Sequence, residues 1–397
     1  MVWKRYSTQQ AAARFDNAED FTVGVEEEFQ ILDPANLKLT SRFEQLQKLA
    51  HDRIGTFARG ELIASEIEIS TDICYSMTAV EADLMAKRRA LFDAAAELGV
   101  TLAATGAHPF ADWRDQRIID TPRYREIDEK LRYCAWRNMT FGMHTHVGVR
   151  GRERLIAVFN AMRGFLPHLL ALSANSPFAE ARYTHLHSAR TQLFTRCFPR
   201  CGIPGPFRDW HHYASLVETL MSTNSISEPT QIWWSVRPHP IFGTLEIRIC
   251  DCQSNIEDTL AVASLTLALV AALADDYDAG RLLPVLGTHE VEENLWRALR
   301  YGLDGKLVDF EKKKEVLATD AVRRLANYTA AAQIRLGLEK YTRRVANIIK
   351  HGNGAQRQIR IYEKTGDIGA AFHDAVRRSQ PAAGRAAAGA MPKSKRR

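Results

Sequence analysis

Cysteine is scarce in this chain and placed without order: six residues in 397, at positions 74, 134, 197, 201, 250 and 252. Such spacing excludes a disulfide-stapled fold and suits a reducing compartment. The close pairs Cys197/Cys201 and Cys250/Cys252 have no second pair at zinc-site spacing, so buried or free thiols are expected. Long hydrophobic runs are missing too. The longest stretch free of charged residues and histidine, 259–274, falls short of the roughly 20 residues that span a bilayer and reads as a buried helix. The opening MVWKRYSTQQ has no apolar segment of the kind a secretory signal requires, so a cytoplasmic protein without a membrane partner is expected. Also absent are the G-x-x-x-x-G-K-[ST] phosphate loop and a strand-borne G-x-G-x-x-G, so any nucleotide must be held by other means.

What is present is the composition of a globular enzyme, 46% hydrophobic and 25% charged. The net charge of +6 comes in part from residues 385–397, so it implies no nucleic-acid surface. Residues 1–375 show no linker or repeat and are expected to form one catalytic domain. Residues 376–397, ending in PAAGRAAAGAMPKSKRR, are expected to be a disordered basic tail. A helix is expected after Met77, announced by Thr78 and Glu81 as a capping box and continuing to Leu98. Others are expected over 153–174, 209–222, 256–274, 290–302 and 332–350.

The chemistry lies in four strand-like segments, whose successive residues point to opposite faces of a sheet. In Phe21–Ile31, Glu26, Glu28 and Gln30 share one face while the other is apolar apart from Glu27. Glu66 and Glu68 oppose Ile67 and Ile69, His144 and His146 oppose Met143 and Val147, and Glu246 and Arg248 oppose Leu245 and Ile247. Four such segments in one sheet would line a wet cavity with carboxylates and imidazoles, whose mutual repulsion a cation relieves. Hard oxygen donors suit Mg²⁺ or Mn²⁺, which commonly arrives with nucleotide phosphates. Arg248 is suited to phosphate, and Arg237 and Arg190 to phosphate or a substrate carboxylate. The turn Gly352-Asn353-Gly354 is a further phosphate-loop candidate, and His108 and His239 are expected to shape nearby loops. Trp233-Trp234 should fill core and cavity wall, and His211-His212 should lie at the surface.

The motifs Gly24–Phe29, Glu61 with Glu68–Thr71, Thr105–Phe110, Gly142–Val149, Ser173–Phe178, Arg237–Pro240 and Gly243–Arg248 resemble, in order, those of the type 2 glutamate–cysteine ligase, or carboxylate–amine ligase, family. Trp296–Gly302 and Gly352–Gln358 extend the resemblance across nearly all of the globular part. It implies an α+β, glutamine-synthetase-like catalytic domain: an antiparallel funnel with helices on its outer face, ATP entering at one end and amino acids at the other. It further implies a γ-glutamyl ligase, joining glutamate and an amine such as cysteine through an acyl phosphate, and a homodimer. By the same resemblance Glu26, Glu28, Glu68, His144 and Glu246 hold Mg²⁺ or Mn²⁺, with Glu61 a further candidate, and Arg248 steadies the transferring phosphoryl group. The stretch 179–189 departs from the family's usual Trp/Gly-containing segment, a difference that bears on the identity of the amine. Two other classes remain open at this point. His144-Thr145-His146 is an H-x-H pair suited to a zinc hydrolase built on a βα barrel, and the same scaffold could serve as a non-catalytic amino-acid or nucleotide sensor.

Overall fold

The computed structural model describes residues 7–381. Its centre is a seven-stranded sheet of β1 (Val23–Leu32), β2 (Ala58–Arg59), β3 (Glu66–Ser70), β4 (Thr101–Ala103), β5 (Met143–Gly148), β6 (Val236–His239) and β7 (Thr244–Ile247). In space the strands run β6-β7-β5-β1-β3-β2, with β4 paired to the far half of β1, and every pairing is antiparallel. This is the α+β arrangement that the sequence led us to expect.

Helices Met77–Leu98 and Ile256–Asp278 cover one face of the sheet, where Val23, Val25, Phe29, Ile31, Ile67, Ile69 and Val147 join the main apolar core. Two segments, Arg152–Ser173 and Ile256–Asp278, are long and apolar enough to cross a bilayer. Their apolar windows are 78% and 89% buried inside the fold, where they serve as core.

Several local expectations are corrected. The helix Met77–Leu98 is capped by Ser76, which is extended and whose hydroxyl accepts the Ala79 N–H at 3.2 Å. Thr78 and Glu81 already lie inside the helix, and Glu81 accepts from Lys340 and Tyr341 instead. The expected helix 153–174 is two, Arg152–Met162 and Leu166–Ser173, joined by the 3₁₀ turn Arg163–Phe165. The expected helix 332–350 is also two, Ala330–Arg335 and Glu339–His351, because Gly337 turns into the left-handed region at φ +65°. Asn353 caps helix Gly354–Thr365, with Gln356 completing a capping box, and the turn Gly352-Asn353-Gly354 lines neither of the two cavities described below.

The last helix, Ile368–Ser379, crosses the boundary expected at 375. Val376 and Ser379 are buried, and the Ser379 hydroxyl accepts the Ala104 N–H at 2.9 Å. The folded body therefore extends to at least Ser379, and the expected tail from 382 onward lies outside the described residues.

Candidate active site

Strand register brings the charged residues into rows. Glu26 lies between Ser70 and His144, Glu28 opposite Glu68, and Glu68 opposite Arg59. His146 lies opposite Glu246, which in turn lies opposite Arg237. Cross-strand neighbours on one face are about 5 Å apart, so period-two alternation along each strand becomes a continuous polar wall. This wall bounds a cavity of about 390 Å³ that also receives Glu61, Arg123, Tyr124, Asn138, Thr140, Arg190, Trp233 and His239. A second, less polar cavity of about 440 Å³, with Phe57, Ile73, His146 and Thr244 in its wall, shares Glu26, Arg59, Ile241 and Phe242 with the first. The two spaces meet at the carboxylate row.

The balance of charge within the row is uneven. Glu246, 1% exposed, takes Arg237 at 2.6 Å and also Arg248. Among the described residues, Glu26, Glu28, Glu61, Glu66 and Glu68 have no salt bridge to any lysine or arginine. Glu26 is instead met by His144 Nδ1 at 3.0 Å and His146 Nε2 at 3.5 Å, and Glu28 by His144 Nε2 at 3.5 Å and the Gly142 N–H. Burial and the neighbouring Glu61 push Glu28 up to about 8. Burial, then Glu28 and Glu61, raise Glu66, and burial, then Glu26 and Glu61, raise Glu68. Burial also acts on Glu26 and Glu246, yet His146 and His144 hold the first, and Arg237 and Arg248 the second, well below the usual carboxylate range. Burial and Arg248 bring His144 down to about 4. At His146 the carboxylates of Glu26 and Glu246 outweigh burial and raise it.

Three triads place ligand atoms within 4.8 Å of one another: Glu26, Glu68 and His144; Glu26, His146 and Glu246; and Glu28, Glu61 and Glu68. The donor set fits a hard divalent cation. The Nε2 atoms of His144 and His146 are buried without a hydrogen-bond partner, and a cation would satisfy both them and the raised carboxylates.

Each arginine is positioned differently. Arg248 follows β7, donates to Glu246, approaches His144 Nδ1 at 3.4 Å and keeps its Nε unpartnered. Arg237 has all three nitrogens engaged, since Nε and Nη2 donate to Glu246 and Nη1 donates to the Thr230 and Ile232 carbonyls at 2.8 and 2.6 Å. The sequence suits it to phosphate or a substrate carboxylate, and the geometry has it hold Glu246 in a buried salt bridge. Arg190 sits in the first turn of helix Ala189–Cys197, capped by Ser188. Asp251 ties this turn down by accepting from Ser176, Ser188 and the Asn175 N–H at 2.7–2.8 Å.

The family model described as glutamate–cysteine ligase family 2 (GCS2) matches residues 22–374. The chain belongs to this family. Similar members, provisionally named glutamate–cysteine ligase 2, include one from Solibacter usitatus, 39% identical over 352 residues (87% of this chain, 90% of that one). Another, from Sorangium cellulosum, is 39% identical over 361 residues (90% and 96%). The fold is shared with the glutamate–cysteine ligase of Francisella tularensis, solved in complex with AMP, at a TM-score of 0.67 and 13% identity, covering 92% of this chain and 89% of that one. It is shared likewise with a bifunctional glutathione synthetase from Pasteurella multocida, at a TM-score of 0.67 and 14% identity (94% and 53%). The GCS2 member described here is an ATP-dependent carbon–nitrogen ligase.

Neither alternative class is favoured. His144 and His146 stand on an antiparallel strand and not in a βα barrel, and their ring nitrogens face Glu26, Glu28 and Glu246. Of the candidate residues, Glu26, Glu28, Glu68, His144, Glu246, Arg248, Arg237 and Arg190 all meet in the first cavity. His108 does not: it is buried against Phe110 and Phe372 and bonded to the Leu37 carbonyl. The divergent stretch 179–189 also stays out of the cavity wall, which takes only Arg190 from that region. Arg59, Arg123 and Tyr124 are cavity residues that sequence reasoning did not find, because their own segments carry no period-two alternation of charge. His146 and Glu66 were on the right face by parity, a signal available from the start.

Proposed function

We propose that the protein uses Mg²⁺–ATP to join the γ-carboxylate of L-glutamate to an amine, with L-cysteine as the first candidate, yielding γ-glutamylcysteine, ADP and phosphate. The observation that carries this reading is the row of five carboxylates without a lysine or arginine partner, beside two imidazole nitrogens without a proton partner and the Arg248 guanidinium. Such an array neutralises and positions phosphates, which is most of what phosphoryl transfer asks of a protein.

Glu26, Glu28, Glu61, Glu68, His144, His146 and Glu246 would hold the magnesium ions, which when bound supply charge neutralisation for the nucleotide's phosphates. The γ-carboxylate oxygen attacks the terminal phosphorus of ATP and ADP leaves. The amine nitrogen then attacks the acyl carbon, phosphate leaves and the amine's proton passes to solvent. Arg248, its Nε free, would steady the transferring group, and Arg237 keeps Glu246 oriented. The less polar cavity suits the nucleotide and the charged one the amino acids. Six free cysteines support a reducing, cytoplasmic setting.

The test is ADP release by the purified protein with Mg²⁺ and ATP, across amino acids alone and in pairs. Turnover with glutamate plus one amine, reduced at least about 10³-fold in Glu246→Gln, supports the reading. ATP turnover that no carboxylate–amine pair stimulates would overturn it.

A further inference from the structure

We propose that Glu66 and Arg190 form the subsite that reads the α-ammonium and α-carboxylate of the amino acid whose side-chain carboxylate is activated. This rests on the ligase reading and assigns recognition to residues outside the metal and phosphate machinery.

Glu66 is only 1% exposed, yet it lines the charged cavity, and among the described residues its carboxylate makes no hydrogen bond or salt bridge. A buried carboxylate in that condition needs a cation. A metal ion does not fit the need, since Glu66 stands outside every three-ligand cluster among the described residues. A ligand's ammonium does fit, bringing both charge and three donors.

Arg190 supplies the opposite pole. Its guanidinium lies over Gly142, where a Cβ would come within 2.2 Å of Nη2, so the close approach depends on glycine at that position. Nη1 and Nη2 are braced on the Ile249 and Arg248 carbonyls at 3.2 Å, and Nε has no partner. Arg190 and Glu66 form no salt bridge; the Arg190 guanidinium meets the buried Asp251 carboxylate only distantly, Nη1 to Oδ1 at 3.9 Å. Two buried opposite charges held apart on one cavity wall are complementary to a zwitterion. The distance to the chemistry is also suitable. Glu66 is two residues from Glu68 along β3, a step of about 6.7 Å. That is comparable to the reach from amine nitrogen to side-chain carboxylate in an extended glutamate.

The test is calorimetric titration of L-glutamate, glutarate (no ammonium) and 4-aminobutanoate (no α-carboxylate) into the full-length protein, with Mg²⁺ and a non-hydrolysable ATP analogue. Wild type should prefer glutamate over glutarate by at least about tenfold. Glu66→Gln should lose that preference, and Glu66→Asp should recover part of it. Arg190→Lys should weaken discrimination against 4-aminobutanoate while leaving the glutarate ratio in place. An unchanged Mg²⁺-induced rise in Tm shows that each variant is folded with its metal site intact. A glutamate preference that survives Glu66→Gln, or is absent from wild type, overturns the assignment. ADP release measured in parallel separates the two proposals: ammonium-selective binding without turnover on any amine sinks the ligase reading and leaves the subsite standing.

Discussion

Strand β1 carries three consecutive glutamates, and the sheet gives the middle one a different fate from its neighbours. Glu27 points to the helical face, fully buried, where Arg88 grips it at 2.5 and 2.6 Å and the Thr259 hydroxyl donates at 2.6 Å. Its charge is closed by the protein itself. Glu26 and Glu28, one residue to either side, face a cavity in which carboxylates outnumber the cations paired with them. Burial is similar on both faces, so burial alone does not mark a functional site. What differs is whether the fold supplies the counter-charge or leaves it to a ligand.

The contrast can be broken from either side. The largest effect is expected for Glu27→Gln, which strands the buried Arg88 charge and should cost about 3–5 kcal/mol of stability in denaturant unfolding. Glu28→Gln should leave the metal-free protein unchanged or more stable, and equal losses for the two variants would erase the distinction. Mg²⁺ should stabilise wild type by about 2.7 kcal/mol at a hundredfold excess over Kd, read as a shift in Tm. The same addition to Glu28→Gln should give less than half that shift.

The pH dependence follows from Glu28, whose folded-state value is raised from 4.5 to about 8. The folded state binds this proton more tightly than the unfolded chain, so the stability it contributes is full below 4.5 and lost as pH rises through about 8. Metal-free protein should therefore gain in Tm from pH 8 to 6 relative to Glu28→Gln, and saturating Mg²⁺ should remove the gain. The smallest effect is expected for Thr259→Val, which takes one donor from Glu27 and should cost about 1.5 kcal/mol with turnover per folded molecule unchanged.

Much of this face was legible in the sequence because side-chain direction in a strand has a strict period. Glu26, Glu28, Glu68, His144 and Glu246 could be placed on one wall before any pairing was known, and the cavity they share follows from adding register. Parity also set Glu27 apart, but its partner Arg88 lies on a helix far along the chain, and no local pattern announces a long-range ion pair. Arg59, Arg123 and Tyr124 were illegible for the same reason. Local signals misled where two candidates competed: Thr78 and Glu81 matched a capping box, but the hydroxyl one turn-start earlier, Ser76, has the extended backbone that a cap requires. For Arg237 the choice between phosphate and carboxylate stays open in the sequence, which does not show the two carbonyls and the Glu246 carboxylate that occupy its nitrogens.

The bond from the Ser379 hydroxyl to the Ala104 N–H links positions 275 residues apart. Ala104 follows directly on β4, which is hydrogen-bonded to the far half of β1. During synthesis, at roughly 5–20 residues per second, this edge of the sheet emerges about 14–55 s before the helix that covers it. Over that interval the nascent chain presents an uncovered strand edge to its surroundings, which makes it the period when a chaperone has most to protect.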